Sequence, residues 1–115
     1  MNQRTDSSLL LPECDNEGYL LDPADWSREL APVLAAEDGL TLSDAHWRVI
    51  DFIRDWYDDN QAVPEARRAI AALAEATGDK RGAKAQLYAL FPHGYGQQAC
   101  RYAGMRKPLK LMLDV

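Results

Sequence analysis

Cys100 has neighbours in the sequence that could support thiol chemistry. His93 lies seven residues before it and Arg101 follows it directly. A histidine can deprotonate a thiol, and an adjacent cation lowers the thiol pKa, so Cys100 is a candidate redox or sulfur-binding residue. No third group that would orient the histidine is evident, and a cysteine on a short amphipathic helix can equally be an ordinary core residue. Residue types alone leave both interpretations open.

The elements around Cys100 predict a short helix followed by an arm. Gly104 is placed to end the helix, because glycine accepts the left-handed conformation found at helix ends. Beyond it, Pro108 and a lack of helical period indicate a flexible C-terminal arm over residues 105–115. Basic residues in and beside this arm favour an acidic groove on a partner protein. They are Arg101, Arg106, Lys107 and Lys110, with Leu109, Leu111 and Leu113 as apolar anchors.

The rest of the chain predicts a mainly α fold of about five helices in an orthogonal bundle. The apolar face from Trp47 to Tyr57 is too wide for a surface helix, so we expect this helix at the centre. A small β-hairpin is expected from Ser7 to Leu21, with Gly18 in its turn. The other predicted helices run from Asp22-Pro23 to Asp38-Gly39 with a kink or an early end at Pro32, from Glu65 to Ala76, and from Ala83 to Phe91.

The third and fourth predicted helices have the outline of a helix-turn-helix, the pair of helices used by many DNA-binding proteins. This pair carries basic side chains that could neutralise phosphates, so a DNA-binding regulator is an alternative function. They are Arg67, Arg68, Lys80, Arg81 and Lys84. The second helix is short and offers few side chains for reading bases beyond Lys84 and Gln86, so we expect weak binding without sequence preference.

Composition indicates one globular domain over residues 1–115, with residues 1–7 as a disordered tail. The net charge of −5 divides into −10 up to Asn60 and +5 from Gln61 onward, which suggests a partner for one face. Two cysteines and two histidines far apart in sequence make no metal site, and we expect no cofactor. No apolar run approaches a membrane span and no signal peptide is evident, so a cytoplasmic location without membrane contact is expected.

Several separated segments resemble the DsrC/TusE family of sulfur-relay proteins, in the right order from about Cys14 to Lys110. In the C-terminal half these are Leu87-Tyr88-Ala89-Leu90-Phe91-Pro92-His93-Gly94, Gln98-Ala99-Cys100-Arg101, Ala103-Gly104 and Lys107-Pro108. In the N-terminal half they are Asn16-Glu17-Gly18-Tyr19-Leu20, Asp22-Pro23-Ala24-Asp25-Trp26 and His46-Trp47 with Ile50. The resemblance implies a small, mainly helical protein whose flexible arm carries sulfur on a penultimate cysteine. Some family members have a second cysteine at the position matched by Cys100.

One departure from the family pattern concerns the carrier residue itself. Alignment through Lys107-Pro108 places Leu111 where the family's penultimate cysteine belongs, and Met112-Leu113-Asp114-Val115 follow it. Since fold transfers more readily than activity, we expect an accessory or regulatory partner-binding protein more than a sulfur carrier or an enzyme. The partners implied by resemblance are sulfur-transfer proteins, a sulfite-reductase-type complex or a tRNA-thiolating enzyme. Sulfur transport by Cys100 alone, in sulfur oxidation or reduction or in tRNA 2-thiolation, is a further alternative.

Overall fold

The computed structural model describes residues 12–109, which are mainly helical. After a 3-10 turn at Pro23–Asp25, four α-helices follow: α1 (Leu30–Glu37), α2 (Asp44–Asn60), α3 (Ala66–Thr77) and α4 (Ala83–Leu90). A π helix, Tyr95–Cys100, is the fifth helix and continues into one further helical turn. The prediction of a mainly α fold with about five helices is confirmed.

Helix α2 is the centre of the packing, as its sequence predicted. Val49, Ile50 and Ile53 are buried on one side of it, and α3 and the π helix pack against it. Its other large side chains, Trp47 among them, are only partly buried and pack at the edge of the core. The wide apolar face therefore consists of a buried stripe with aromatic residues on both flanks.

Ser43 begins α2 and ties it to α4 through His46. The Ser43 amide donates to Nδ1 of His46 at 3.0 Å, and its hydroxyl accepts from the His46 amide. Because Nδ1 accepts, Nε2 carries the ring proton and donates to the Leu90 carbonyl at 2.8 Å. Both ring nitrogens of the buried His46 side chain therefore make structural hydrogen bonds.

The first predicted helix is shorter than expected. Asp22 caps only a 3-10 turn by accepting from the Ala24 amide, and Trp26 is then extended. Helix α1 starts at Leu30, so Pro32 lies in its first turn, where the missing N–H has no intrahelical partner to lose. The helix continues to Glu37, so the kink or early end expected at Pro32 is wrong for this reason.

No β-hairpin is seen in the described residues 12–109, which contain one isolated bridge, between Cys14 and Leu20, and no strand. The carboxylate of Asp15 accepts from the amides of Glu17 and Tyr19, and the Asp15 amide donates to the Tyr19 carbonyl, which makes a compact turn. The predicted first strand around Leu10 and the tail of residues 1–7 lie outside the described residues.

Candidate functional site

Cys100 lies near the end of the helical stretch, in a Schellman turn that Gly104 closes. The Gly104 amide donates to the Arg101 carbonyl at 3.0 Å, and the Met105 amide donates to the Cys100 carbonyl at 3.0 Å. Gly104 has φ +79°, the left-handed conformation that this motif requires. The expected stop at Gly104 is confirmed, and it fixes the backbone on the C-terminal side of the candidate thiol.

The Cys100 side chain is fully buried. Burial raises the pKa of its thiol to about 12, although a hydrogen bond with the Tyr95 hydroxyl opposes the rise. Tyr95 is itself anchored, because it donates to the Pro64 carbonyl at 2.6 Å. At neutral pH the sulfur is therefore a thiol, the weakly nucleophilic form, enclosed in the core.

His93 and Cys100 are not brought together as a catalytic pair. His93 is exposed on the surface and lines a groove, whereas Cys100 is enclosed and does not line it. The backbone amide of His93 donates to the side-chain oxygen of Gln98 at 2.8 Å, which fixes the turn before the π helix. The two residues are close in sequence, which suggested a histidine–cysteine nucleophile, but the fold does not pair their side chains.

Cys14 is exposed beside the N-terminal turn. Partial burial raises its pKa, and the carboxylates of Asp15 and Glu37 raise it further. Its thiol donates to the Pro12 carbonyl at 3.5 Å. Cys14 is thus open to solvent, but its surroundings disfavour the reactive thiolate.

Arg101 belongs to the body of the protein, apart from the other basic residues assigned to the arm. Its side chain is 9% exposed, and its guanidinium lies 2.7 Å from the Asp38 carboxylate and 3.5 Å from that of Glu37. Its Nε donates to the Gln97 carbonyl at 3.0 Å. These contacts bind the π helix to the C-terminal end of α1.

Asp38 joins three side chains that come from the C-terminal segment. It accepts from Arg101, from the Tyr102 hydroxyl at 2.5 Å and from the Gln98 amide at 3.5 Å. Desolvation raises the pKa of Asp38, but the Tyr102 hydrogen bond and the Arg101 charge outweigh it and lower the pKa overall. The network therefore stabilises the ionised carboxylate.

We expect Asp38→Asn to lower the free energy of unfolding by about 2 kcal/mol at pH 7, since it weakens charge-assisted bonds to a buried arginine. A carboxylate whose folded pKa is depressed contributes stability above its unfolded pKa, near 3.8, and loses that contribution as pH falls through the folded value. Urea unfolding of both proteins between pH 7 and pH 3 should show the difference shrinking below about pH 4. A difference that stays constant across this range would contradict the assignment.

A groove of about 690 Å³ lies between the N-terminal turn, the end of α1, the π helix and the start of the arm. Glu17, Glu37 and Asp38 give it an acidic lining, which Arg101 and Lys107 partly offset. Lys107 crosses it to contact Glu17 at 2.6 Å. The groove is therefore a mixed-charge surface that the first arm residues border.

The described part of the arm, residues 105–109, is partly buried. Met105 and Pro108 are buried, whereas Arg106 is exposed and Leu109 is 65% exposed. Lys110 and the remainder of the predicted arm lie outside the described residues. The apolar and basic groups that a partner could contact thus begin at Arg106.

The basic patch predicted for DNA is partly engaged within the protein. Both Arg67 and Arg68 bind the Glu65 carboxylate at 2.9 Å, and these hydrogen bonds lower the pKa of Glu65 to about 2. Arg68 also lies 4.7 Å from the centroid of the Trp56 ring. The remaining residues of the patch are exposed around the turn between α3 and α4, namely Lys80, Arg81 and Lys84. Helices α3 and α4 pack together as a pair, as predicted.

Sequence reasoning missed Trp26 and Arg54 as parts of this site. The sequence predicts Trp26 within a long helix that starts at Asp22-Pro23, and it assigns no role to Arg54. Trp26 instead donates from Nε1 to the Tyr102 carbonyl, and Arg54 donates to the Ala103 carbonyl. The position of Arg54 beside the buried Ile53 of the central helix was the one available signal, because a partly buried guanidinium needs acceptors.

Within residues 12–109, no cluster of three histidine, cysteine or carboxylate side chains could hold a metal ion. The same stretch contains no helix that is both long and apolar enough to cross a membrane.

Comparison with known proteins gives consistent matches over most of the chain. The model of the family described as DsrC like protein matches residues 11–112. Sulfurtransferase TusE of Yersinia pseudotuberculosis is 42% identical over 98 residues, which cover 85% of this chain and 91% of the relative. Sulfurtransferase TusE of Escherichia coli K12 is 42% identical over 98 residues, covering 85% of this chain and 90% of the relative.

Two solved structures have the same fold. The oxidized gamma-subunit of the dissimilatory sulfite reductase (DsrC) from Archaeoglobus fulgidus has a TM-score of 0.77 and 28% identity, over 85% of this chain and 90% of that one. DsrC of Allochromatium vinosum has a TM-score of 0.72 and 41% identity, over 83% of this chain and 85% of that one. The chain belongs to the DsrC-like family of sulfur-relay proteins.

Proposed function

We propose that this protein is an accessory or regulatory member of the sulfur-relay family, which binds sulfur-transfer proteins without carrying sulfur itself. The observation that carries the proposal is the state of its thiols. Leu111 stands where the family's carrier cysteine is expected, Cys100 is fully buried with a raised pKa, and Cys14 is exposed with a raised pKa. Neither cysteine is a poised thiolate.

The start of the arm supports a role in partner binding. Arg106 is exposed and Leu109 is largely exposed, so a positive charge and an apolar side chain are both available. Lys110 adds a second charge in the sequence. A basic and apolar segment of this kind suits an acidic groove with apolar pockets, in which charge steers the encounter and the leucines supply affinity.

The relatives suggest which partners to test. The curated relatives are named sulfurtransferases, and one structural neighbour is the gamma-subunit of a dissimilatory sulfite reductase. Another neighbour is the structure of dissimilatory sulfite reductase I, with a TM-score of 0.69. We propose cytoplasmic sulfur-transfer proteins or a sulfite-reductase-type complex as partners, competing there with carrier members of the family.

The test is affinity purification from the source cell with tagged full-length protein and with a variant that lacks residues 110–115. The deletion begins after the buried Met105 and Pro108, so the body should remain folded. A second variant, Arg106→Glu with Lys110→Glu, keeps the length, and Arg67→Glu with Arg81→Glu serves as a charge-matched control outside the arm. Sulfur-transfer proteins should be recovered with the full-length and control proteins only; equal recovery with all four would contradict an arm-mediated role.

Sulfur transport by Cys100 alone is the second candidate function, and its position at the base of the arm favours it. We predict little persulfide on the native protein after incubation with a polysulfide, because Cys100 is enclosed. Leu111→Cys should gain one sulfur atom under the same conditions, as measured by intact mass. Cys14→Ser and Cys100→Ser identify which thiol is loaded. Rapid, complete loading of Cys100 in the native protein would place the carrier function first.

DNA binding is the third candidate, and we predict that it is weak, salt-sensitive and independent of sequence. Glu65 already neutralises Arg67 and Arg68 in part, and the N-terminal half of the chain carries a net −10 that repels phosphate. A gel-shift titration at two salt concentrations measures this. Tight binding to one sequence at physiological salt would make the regulator the leading function.

A further inference from the structure

Besides the contacts of Tyr102 with Asp38 and Phe91, two side chains, Trp26 and Arg54, fasten the backbone of the segment after Cys100 to the body. Trp26 Nε1 donates to the Tyr102 carbonyl at 2.7 Å. One nitrogen of Arg54 donates to the carbonyls of both Ala103 and Pro23, at 3.1 Å and 3.0 Å. The Arg54 guanidinium also stacks on the Trp26 ring, 4.6 Å from its centroid. The two side chains thus satisfy carbonyl groups that a helix end leaves without partners.

Gly104 lets the indole lie directly on the backbone of this segment. A Cβ atom added there would lie 2.4–2.6 Å from three atoms of Trp26, so the side chain fills the space that any other residue would need. The next residue, Met105, is fully buried and hydrogen-bonded to the Cys100 carbonyl. Residues 102–105 are therefore held across the end of the π helix that contains Cys100.

We propose that Trp26 and Arg54 form a latch on residues 102–105, and that local opening of this latch, without global unfolding, gives solutes access to Cys100. The thiol is fully enclosed, so some neighbouring segment must move before it can react. The latch bonds are polar and only partly buried, so water can replace them, and the opening exposes the buried Tyr102 and Met105 but leaves the rest of the core in place. The backbone at Cys100 is π-helical, a form found mostly as short pieces at functional sites.

This inference goes beyond the proposed function, because it concerns how the protein exposes its own thiol and requires no partner. It also separates two kinds of buried cysteine. A core cysteine reacts only when the whole protein unfolds, whereas a latched cysteine reacts through a smaller opening whose frequency depends on the latch residues.

The test is the rate at which iodoacetamide alkylates Cys100 in a Cys14→Ser background, followed by intact mass. Trp26→Phe removes the indole donor and keeps an aromatic ring, while Arg54→Met removes the guanidinium and keeps the aliphatic stem. Each change should speed labelling about five- to tenfold, the increase in open population expected for one lost hydrogen bond. The control is Arg68→Met, which removes a guanidinium stacked on Trp56, with no recorded bond to residues 102–105. It should leave the labelling rate unchanged.

Low concentrations of urea distinguish local from global opening, because only global unfolding exposes enough surface to respond strongly. The labelling rate of the reference protein and of both latch variants should stay nearly flat up to the onset of unfolding. The proposal is overturned if the labelling rate rises with urea as steeply as the global unfolding constant does, or if Trp26→Phe and Arg54→Met leave the labelling rate unchanged. Labelling of the folded reference protein at the rate of the unfolded chain would also overturn it.

Discussion

Gly104→Ala should lower the free energy of unfolding by about 2–5 kcal/mol. Roughly 1–2 kcal/mol comes from placing an L-residue at φ +79°, and about 1–3 kcal/mol comes from forcing a methyl group into the Trp26 ring. Since domains of this size are stable by only about 5–15 kcal/mol, the loss should be large in urea unfolding followed by tryptophan fluorescence.

Gly78→Ala is a matched control for this prediction. Gly78 ends α3 with φ +76°, nearly the conformation of Gly104, but nothing lies within 4 Å of the added Cβ. It should therefore show the backbone cost alone, about 1–2 kcal/mol. Equal losses of unfolding free energy for the two variants would mean that Trp26 moves aside easily. The close approach of its indole to the backbone would then contribute nothing to stability.

The regular helices could be predicted from the sequence because their signals are local. The cap at Ser43 and the apolar positions around Ile50 identify α2, and the left-handed Gly78 marks the end of α3. The resemblance to sulfur-relay proteins fixed the overall fold in the same way, through several short segments in order. Each of these signals is contained within a few residues, which is the range over which sequence patterns are informative.

The arrangement around Cys100 could not be predicted, because it depends on residues far apart in the chain. Asp38 and Arg101 are 63 positions apart, and Trp26 meets the Tyr102 carbonyl across 76 positions. The charge pattern placed Arg101 with the arm, since adjacent basic residues look alike in a sequence. Only the fold shows that its partner is a carboxylate at the end of α1.

The burial of Cys100 could not be predicted from the sequence either. The Cys100 thiol bonds to Tyr95 of the same π helix, Tyr95 is anchored on the loop before α3, and the Met105 amide binds the Cys100 carbonyl. Residue types left core cysteine and reactive thiol equally open, and the structure places the side chain in the core. A thiol in the core can still be functional if a local opening reaches it, which is why the latch on residues 102–105 matters for this family member.

Phe91→Ala should lower the free energy of unfolding by about 3–5 kcal/mol, the range for removing a fully buried phenylalanine. Phe91 follows α4 and holds three parts of the fold together. Its ring meets His46 of α2 edge to face, with centroids 5.2 Å apart, and lies 6.1 Å from the ring of Tyr102. The substitution therefore leaves a cavity where α2, α4 and the segment after Cys100 converge. Urea unfolding at pH 7 measures the loss.

Tyr88→Ala provides the matched control, because Tyr88 is an aromatic residue on α4, three positions before Phe91, with 38% of its surface exposed. It should cost less than about 1 kcal/mol, as is usual for surface substitutions. Phe91→Leu should fall between the two, since it keeps most of the apolar volume. If Phe91→Ala and Tyr88→Ala cost the same, Phe91 would not be the point at which these three elements are joined.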